Sequence, residues 1–513
     1  MSNVNNLEVA NIKKNEQIKI VYNEKGYYIK NSHALSHKNK LTVITPVYNA
    51  EKDLKKTIES VINQSIGFEN IQYILVDDAS TDLSRNLLLE YANEYKNIIV
   101  VYLAENTGTP AVPRNLGIEL STSEYITFLD SDDYLEFDGL ETLYNILEET
   151  QDDYVVGKTI KVESGGSSIV GEHQSCKERR SVSPFSIPNM FQHLGPCARL
   201  MRTSVIKENN IKYPEMKFAE DKQFFIDILI HSKSISTTSK TIYYVNRLDE
   251  NDNSLTTQTD VIQKMDSNIA VIKYVIQKNL PVNEEKLILN RLYEFDSITR
   301  LFNRYHFFRS KDKQTYIDTF NKVLETTKDL QYDFSQNFFY PINKVAYQLF
   351  LKGQYEDIAT LFKWDRQEKI KKYVIKDNLP YMVSILKGKL KHIRVPMLAA
   401  FKYDQFYEDT YKVEFLVYGD YINEITDVIF RDRHNINNEF SVPVHINEHG
   451  EAKIEVKLDV LNQFPSASYA IFLRYKDYKK CSITKLNDNQ LKYANRNFRF
   501  YTTINSNLGF RLK

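Results

Sequence analysis

Glu124–Leu135 reads EYITFLDSDDYL. Tyr125–Leu129 is a run of apolar, β-branched and aromatic residues, which predicts a short buried strand. The run stops in three carboxylates, Asp130, Asp132 and Asp133. Carboxylates this close repel one another, and partial desolvation raises the cost, so a cation would settle it. A polar turn would also draw on Asp and Ser. Working outward, "LTVIT" (41–45) is a second short apolar strand, closed by the turn signal "PVYN". "EKDLKKTIESVINQ" follows, with Leu54, Ile58, Val61 and Ile62 at helical spacing. "YILV" (73–76) ends in "DDAST". "DLSRNLLLEYANEY" repeats the helical pattern through Leu83, Leu87, Leu88 and Tyr91, and "IIVVYL" (98–103) is another strand. Strands alternating with helices of about 12 residues predict an α/β fold with a parallel sheet covered on both faces. Such sheets bind ligands at the carboxyl ends of their strands. Asp77, Asp78, Asp130, Asp132 and Asp133 all fall at such ends.

The chain has 513 residues, enough for roughly three domains at about 150 residues each. It is 42% hydrophobic and 26% charged, the balance of a globular protein. Lys plus Arg and Asp plus Glu both number 67, so no global field draws it to nucleic acid or to a membrane. Three scattered cysteines, Cys176, Cys197 and Cys481, predict neither a disulfide framework nor a cysteine zinc site, and suit a reducing compartment. The start "MSNVNNLEVANIKKNEQ" lacks a signal pattern. No apolar run reaches the roughly 20 residues of a membrane span. A cytoplasmic protein is expected, meeting any membrane-bound substrate from the surface.

Residues 1–40 read as a polar extension in which "IKIVYNEKGYYIK" could pair as a hairpin. Residues 41–260 hold the α/β pattern. Within them "GGSS" (165–168) predicts a flexible loop, "SVIKENN" and "EDKQFFIDILIHS" helices, and "TIYYVNR" a strand. From Val261 to about Leu390 the pattern turns helical, as in "VIQKMDSNIAVIKYVIQ" with Ile262, Met265, Ile269, Ile272 and Ile276 on one stripe. The basic stretch "GKLKHIRVP" predicts a boundary, giving a helical region 261–394. In 395–513, "TYKVEFLVYG", "EFSVPVHIN", "EAKIEVKLDV" and "YAIFLRY" alternate at period two, an antiparallel β-sandwich pattern. Neither a G-x-x-x-x-G-K-[ST] loop nor a G-x-G-x-x-G turn is present, which argues against P-loop and dehydrogenase-type nucleotide sites.

"TVITPVYNAEKDLKKTIESVINQS", "YILVDDASTD", "NTGTPAVPRNLGI", "YITFLDSDDYL" and "FAEDKQFF" occur in that order over about 185 residues. Together they resemble family 2 glycosyltransferases with the GT-A (Rossmann-like) fold. The G-x-P-x-x-P-R-N form is similar to the enzymes that add N-acetylglucosamine to the poly(ribitol phosphate) of wall teichoic acid. The helical region and an immunoglobulin-like β-domain beginning "PMLAAFKYD" continue the likeness.

The resemblance implies an inverting transfer from a UDP-sugar to a hydroxyl of an anionic cell-wall polymer, with Mn²⁺ or Mg²⁺ as cofactor. It implies that Pro46 and Tyr48 line the uracil pocket; the alternative for Tyr48 is packing of the first turn. Asp78 would accept the uracil N–H, with Asp77 close by. Arg114 would approach the ribose or diphosphate, and Asn115 would cap the following helix. Asp130 would face the ribose, Asp132 would bind the metal, and Asp133 would assist or orient the sugar. Asp221 matches the general base, with Glu220 beside it as rival. A helix dipole would favour the pair without catalysis. One carboxylate suffices for such a transfer, since the cation takes the charge of the leaving UDP. Arg247 matches a basic residue on a loop that closes over the diphosphate, and Arg199 is a second cation candidate. For both, a surface salt bridge is the alternative.

The chain departs from these relatives in three places. After Arg247 it reads "LDENDNSLT", with no histidine where they often have one. Residues 1–40 have no counterpart. One β-domain stands where the fullest relatives carry two, and those support trimerisation, so self-association through residues 395–513 is a further expectation. A capsule or glycolipid acceptor, or an inactive glycan-binding scaffold, are the competing readings. Peripheral contact with the inner face of the membrane fits the first reading, and no nucleic-acid partner is expected.

Overall fold

The structure, a computed structural model, describes residues 21–248 and 259–513. It forms two compact units. One comprises Met1–Val155 with Pro196–Glu215, the other Val156–Gly195 with Met216–Lys513.

In the first unit, β2 (Leu41–Val47), β3 (Ile71–Asp77), β4 (Ile98–Leu103) and β5 (Tyr125–Phe128) are parallel. β2 lies centrally, between β3 and β5. Two antiparallel strands flank this core. β1 (Tyr27–Lys30) pairs with β4, and Arg199–Arg202 pairs with β5. The expected parallel sheet is therefore mixed at its margins. The first arm of the hairpin expected near β1 lies outside the described residues. β2, β3 and β4 are almost wholly buried, as their continuous apolar runs require.

The connecting helices are α1 (Leu54–Ile62), α2 (Ser84–Glu94) and α3 (Ala111–Leu120). α1 buries Leu54, Ile58 and Val61 as expected. α2 differs: it buries Ser84, Leu88 and Ala92, while Leu83 is exposed. The small residues there let the helix lie close to the sheet, so apolarity alone misplaced the stripe. In α3, Gly117 answers a close approach, since an added Cβ would stand 2.6 Å from Ile44 Cγ2 in β2.

In the second unit, Gly165–Ser168 is a hairpin turn and strand. Gly166–Val170 pairs antiparallel with the long strand Tyr154–Glu163. The flexible-loop reading is corrected: short polar residues here pair rather than wander. Glu220–His231 is a helix and Ile235–Arg247 a strand, as expected. Helices then run from Val261–Gln277 to Tyr355–Gln367, with breaks at Pro341, which opens a helix, and at Gly353, which turns at φ +67°.

The helical reading fails beyond Gln367. Tyr373–Lys376, Leu379–Val383 and His392–Arg394 make a three-stranded antiparallel sheet. Asp377 and Asn378 join the first two strands, both at positive φ, as a tight hairpin requires. The basic stretch at 388–396 is thus folded structure that includes the third strand.

Residues 397–512 form a four-stranded and a seven-stranded antiparallel sheet that share one apolar core, including Val413, Phe430, Leu473 and Phe510. Each sheet turns alternate residues inward, as the period-two pattern demanded. Among the described residues no helix is long and apolar enough to cross a membrane.

Candidate active site

The strand order places a topological switch point at β2. The chain winds to β3 and β4 on one side and to β5 on the other. A crevice at the carboxyl ends is the consequence, and it is where such sheets take ligands. Val47 at the end of β2 is in register with Asp77, and Ile44 is in register with Phe128 of β5. The acidic ends of β3 and β5 therefore flank the same strand. Pro46 lies beyond the β5 pairing, where its missing N–H costs no ladder bond on that side. Tyr48 follows and is 51% exposed, so about half of its surface is open to a ligand.

The carboxylates at these tips are not equivalent. Asp77 is fully buried. Its Oδ2 receives Arg85 Nε of α2 at 2.6 Å, and Ser80 N lies 3.3 Å from its Oδ1. Burial pushes this carboxyl up, opposed by Ser80 and Arg85. Asp77 thereby ties β3 to α2. Asp78 N donates to Val47 O at 2.8 Å, which holds the two strand ends together. Its carboxylate accepts from Thr107 N and Thr107 Oγ1, each at 3.0 Å, and from Asn106 Nδ2 at 3.1 Å. Burial raises its pKa also, with Thr107 opposing.

Asp133 is buried. The Thr57 hydroxyl of α1 bridges the carbonyls of Ser131 (2.9 Å) and Asp133 (2.7 Å), fixing the backbone of the DSDD turn. Asp130 and Asp132 remain partly exposed. Asp130 Oδ1 pairs with Arg114 Nη2 of α3 at 2.7 Å, and the same guanidinium lies 5.2 Å over the Tyr213 ring.

Asn115 does not cap a helix. It lies within α3, where its amide donates to Tyr213 O and accepts from Tyr213 N, both at 2.8 Å. It clamps the segment that presents Tyr213 to Arg114. Arg199 is a second correction. It is 1% exposed and its Nε donates to the buried Tyr154 hydroxyl. A guanidinium so enclosed does not sit in a surface salt bridge.

In the second unit, Asp221 is the second residue of the helix Glu220–His231, entered through Ala219 at φ +67°. Its Oδ1 accepts from Lys222 N at 2.8 Å, and its side chain is partly exposed. The Lys222 ammonium turns inward to Asp296 Oδ2 at 2.8 Å. Asp296 also takes Arg291 (3.1 Å) and Arg300 (2.5 Å). Burial would raise the Asp296 carboxyl, but these three cations hold it well below the usual range. This buried cluster fixes the turn bearing Asp221. Arg247 ends its strand with Nη1 on Asn246 O at 2.7 Å. Residues 249–258, most of the acidic stretch after it, lie outside the described residues.

Among the described residues no group of three or more His, Cys, Asp or Glu could cage a metal. Mg²⁺ and Mn²⁺ need no such cage when one or two carboxylates act with substrate phosphates. Asp130 and Asp132, partly exposed at one strand end, fit that demand.

Sequence reasoning missed Arg85, Asn106, Thr107, Tyr213 and the Lys222–Asp296 pair. Arg85 is the second residue of a helix that opens after "DDASTD", the one signal that it could reach back.

Residues 42–209 match the family described as "Glycosyl transferase family 2". An uncharacterized glycosyltransferase of Haemophilus influenzae is 33% identical over 191 residues, which cover 37% of this chain and 71% of that protein. The chain belongs to glycosyl transferase family 2. Another family relative, the Staphylococcus aureus poly(ribitol-phosphate) beta-N-acetylglucosaminyltransferase TarP, is 35% identical over 209 residues. That match covers 40% of this chain and 62% of TarP, so less than two thirds of the relative is spanned. The crystal structure of S. aureus TarS superposes with a TM-score of 0.56 at 18% identity, over 92% of this chain and 85% of that one. TarS 1–349 in complex with UDP-GlcNAc gives 0.56 at 20% identity, over 69% of this chain and 99% of that one. These likenesses show that the fold is shared, GT-A in the catalytic part.

Proposed function

We propose that this glycosyltransferase moves N-acetylglucosamine, with inversion, from UDP-N-acetylglucosamine to a hydroxyl of a polyol-phosphate polymer of the cell wall. The observation that carries the reading is the convergence of Tyr48, Asp78 and the Asp130–Asp132 turn on one switch point. Tyr48 supplies an aromatic face for uracil, beside Pro46. Asp78, held by Thr107, accepts the uracil N–H, while Asp77 serves as its support through Arg85. Arg114 fixes Asp130 toward the ribose, and Arg247 meets the diphosphate. Asp132, with Asp130 or Asp133 assisting, would hold Mn²⁺ or Mg²⁺. That ion would neutralise charge on the departing diphosphate.

Asp221 removes the proton of the acceptor hydroxyl as its oxygen attacks C1. A β product from an α-linked donor needs this single displacement, and TarP is named for a beta linkage. An anionic acceptor is supported by cations in the same unit as Asp221. Lys264 Nζ lies 5.8 Å and Arg300 Cζ 4.7 Å from the Phe218 ring centroid. Burial lowers Lys264 and Arg304; Arg300 lowers both further, Arg304 adds to it at Lys264 and Arg366 at Arg304, while Asp260 opposes at Lys264. Such a polymer, built at a membrane, places the enzyme at the inner membrane face.

The test is a screen of UDP-sugars against teichoic acid and capsular acceptors, read by released UDP. UDP-N-acetylglucosamine with poly(ribitol phosphate) should give the highest rate. Asp221→Asn should abolish transfer while UDP affinity stays near wild type. Equal loss of UDP binding would remove Asp221 from its role.

A further inference from the structure

A cleft of about 400 Å³ opens between the hairpin segment Ile160–Ser167, the strand Ile235–Arg247 and the loop Asp432–Asn438, all within the second unit. We propose that it binds a neutral saccharide unit through residues that the proposed nucleotide site does not use. Its volume falls in the roughly 300–1,000 Å³ range of small-molecule sites. Val162 and Tyr244 give it an apolar and aromatic side, and Asn435, Asn437, His434 and Glu163 give it amide, imidazole and carboxylate groups. Its lining includes no Lys or Arg, and Glu163 is ion-paired with Lys161. A phosphate would find only Lys161, already committed to Glu163, whereas a pyranose could set its C–H face on the ring and its hydroxyls on the amides.

The cleft is preformed. Gly166 stands at φ +136°, where an added Cβ would come within 3.2 Å of Arg433 O, so the hairpin meets the loop backbone to backbone. Ser167 Oγ lies 3.3 Å from His434 O and accepts from Ile436 N at 3.1 Å. Asp432 braces the loop from inside, accepting from His434 N (2.9 Å) and Asn438 Nδ2 (3.1 Å). Asn437 N donates to Asn435 Oδ1 at 3.1 Å. Local bonds thus fix the loop main chain, while the side chains of His434 and Asn437 remain exposed. Rigid main chain with exposed polar tips binds with little ordering cost.

That the cleft retains sugar-bearing product during repeated transfer rests on the proposed function; saccharide binding itself does not. The test is saturation-transfer NMR on the full chain, with methyl β-N-acetylglucosaminide as probe and UDP present in excess. Signal should persist under UDP and weaken about three- to tenfold in Asn437→Ala and in Tyr244→Ala. Asn437 is exposed, so its variant should melt as wild type and keep the result readable should Tyr244→Ala unfold. Loss of signal on adding UDP, equal signal in wild type and Asn437→Ala, or displacement by inorganic phosphate would each overturn the proposal. A chain that binds the glycoside through Asn437 yet transfers no sugar keeps the cleft and overturns the transferase reading.

Discussion

Asp78 and Asp132 are both carboxylates at strand ends, yet their surroundings assign them different work. Asp78 is enclosed by three donors and can meet only a small, directional partner. Asp132 is partly exposed and can meet a hydrated ion. Asp132→Asn should therefore raise the Mn²⁺ concentration that half-saturates transfer by about tenfold or more, while UDP binding without metal changes little. A titration of initial rate against Mn²⁺ checks this, and an unchanged midpoint would place the metal elsewhere. Asn115 carries the opposite expectation. Asn115→Ala should cost about 1–3 kcal/mol in urea unfolding, because two main-chain groups of Tyr213 lose partners. Thr57 and Asn115 were illegible as site supports in the sequence, since each works across tens of residues through the reach of one side chain, whereas Arg85 reaches Asp77 from only eight positions away. Tyr48, Asp78, Asp130 and Asp132 were legible because strand ends concentrate function and because charge at a buried strand's end demands an explanation.

At the scale of elements, long periodic segments were legible and compact exceptions were not. The runs in β2, β3 and β4 left no other assignment open. The α2 stripe misled because Ser84 and Ala92 are buried for their size. The sheet at 373–394 stayed hidden because its strands are short and its Asp377–Asn378 turn lacks the usual glycine. The helix bearing Asp221 shows why an element's anchor escapes sequence reading: Lys222 and Asp296 are 74 positions apart, and only folding pairs them. Replacing Asp296 by Ala would leave Lys222 buried beside Arg291 and Arg300 without a counter-charge. The expected cost is about 3–5 kcal/mol, read from urea unfolding followed by fluorescence of Trp364, the one tryptophan in the chain. On the same unit, Lys264→Glu with Arg304→Glu should raise KM for a polyphosphate acceptor and flatten its salt dependence. Acceptor-free hydrolysis of the donor should be unchanged.

Across the whole molecule the two units carry opposite acid responses. In the first, burial raises Asp77 and Asp78, so both hold their protons more tightly folded than unfolded. Their contribution grows as pH falls through the carboxylate range. In the second, burial works against ionisation of Asp296, Glu172 and Asp427, but cations outweigh it and the net shift is downward. Asp296 has Lys222, Arg291 and Arg300; Glu172 has Arg431 and Lys480; Asp427 has Arg474. A depressed carboxyl contributes stability that is present above its unfolded pKa of roughly 4 and is lost as pH falls through the folded value. Glu294 and Glu285, raised by burial, oppose this trend within the same unit, but the three depressed groups sit in ion networks and outweigh them. Acidification should therefore loosen the second unit first. Trp364 lies in its helix Tyr355–Gln367 and reports on that unit alone. Between about pH 6 and pH 3 its thermal transition should move to lower temperature, together with the helical far-ultraviolet signal of the second unit, and separate from a later far-ultraviolet step contributed by the α/β unit. Raising salt to about 1 M should narrow the gap only slightly, because buried pairs are poorly screened. A Trp364 transition that holds its temperature in acid, or rises, would mean that the ion networks around Asp296 and Glu172 do not govern the stability of the unit that carries Asp221.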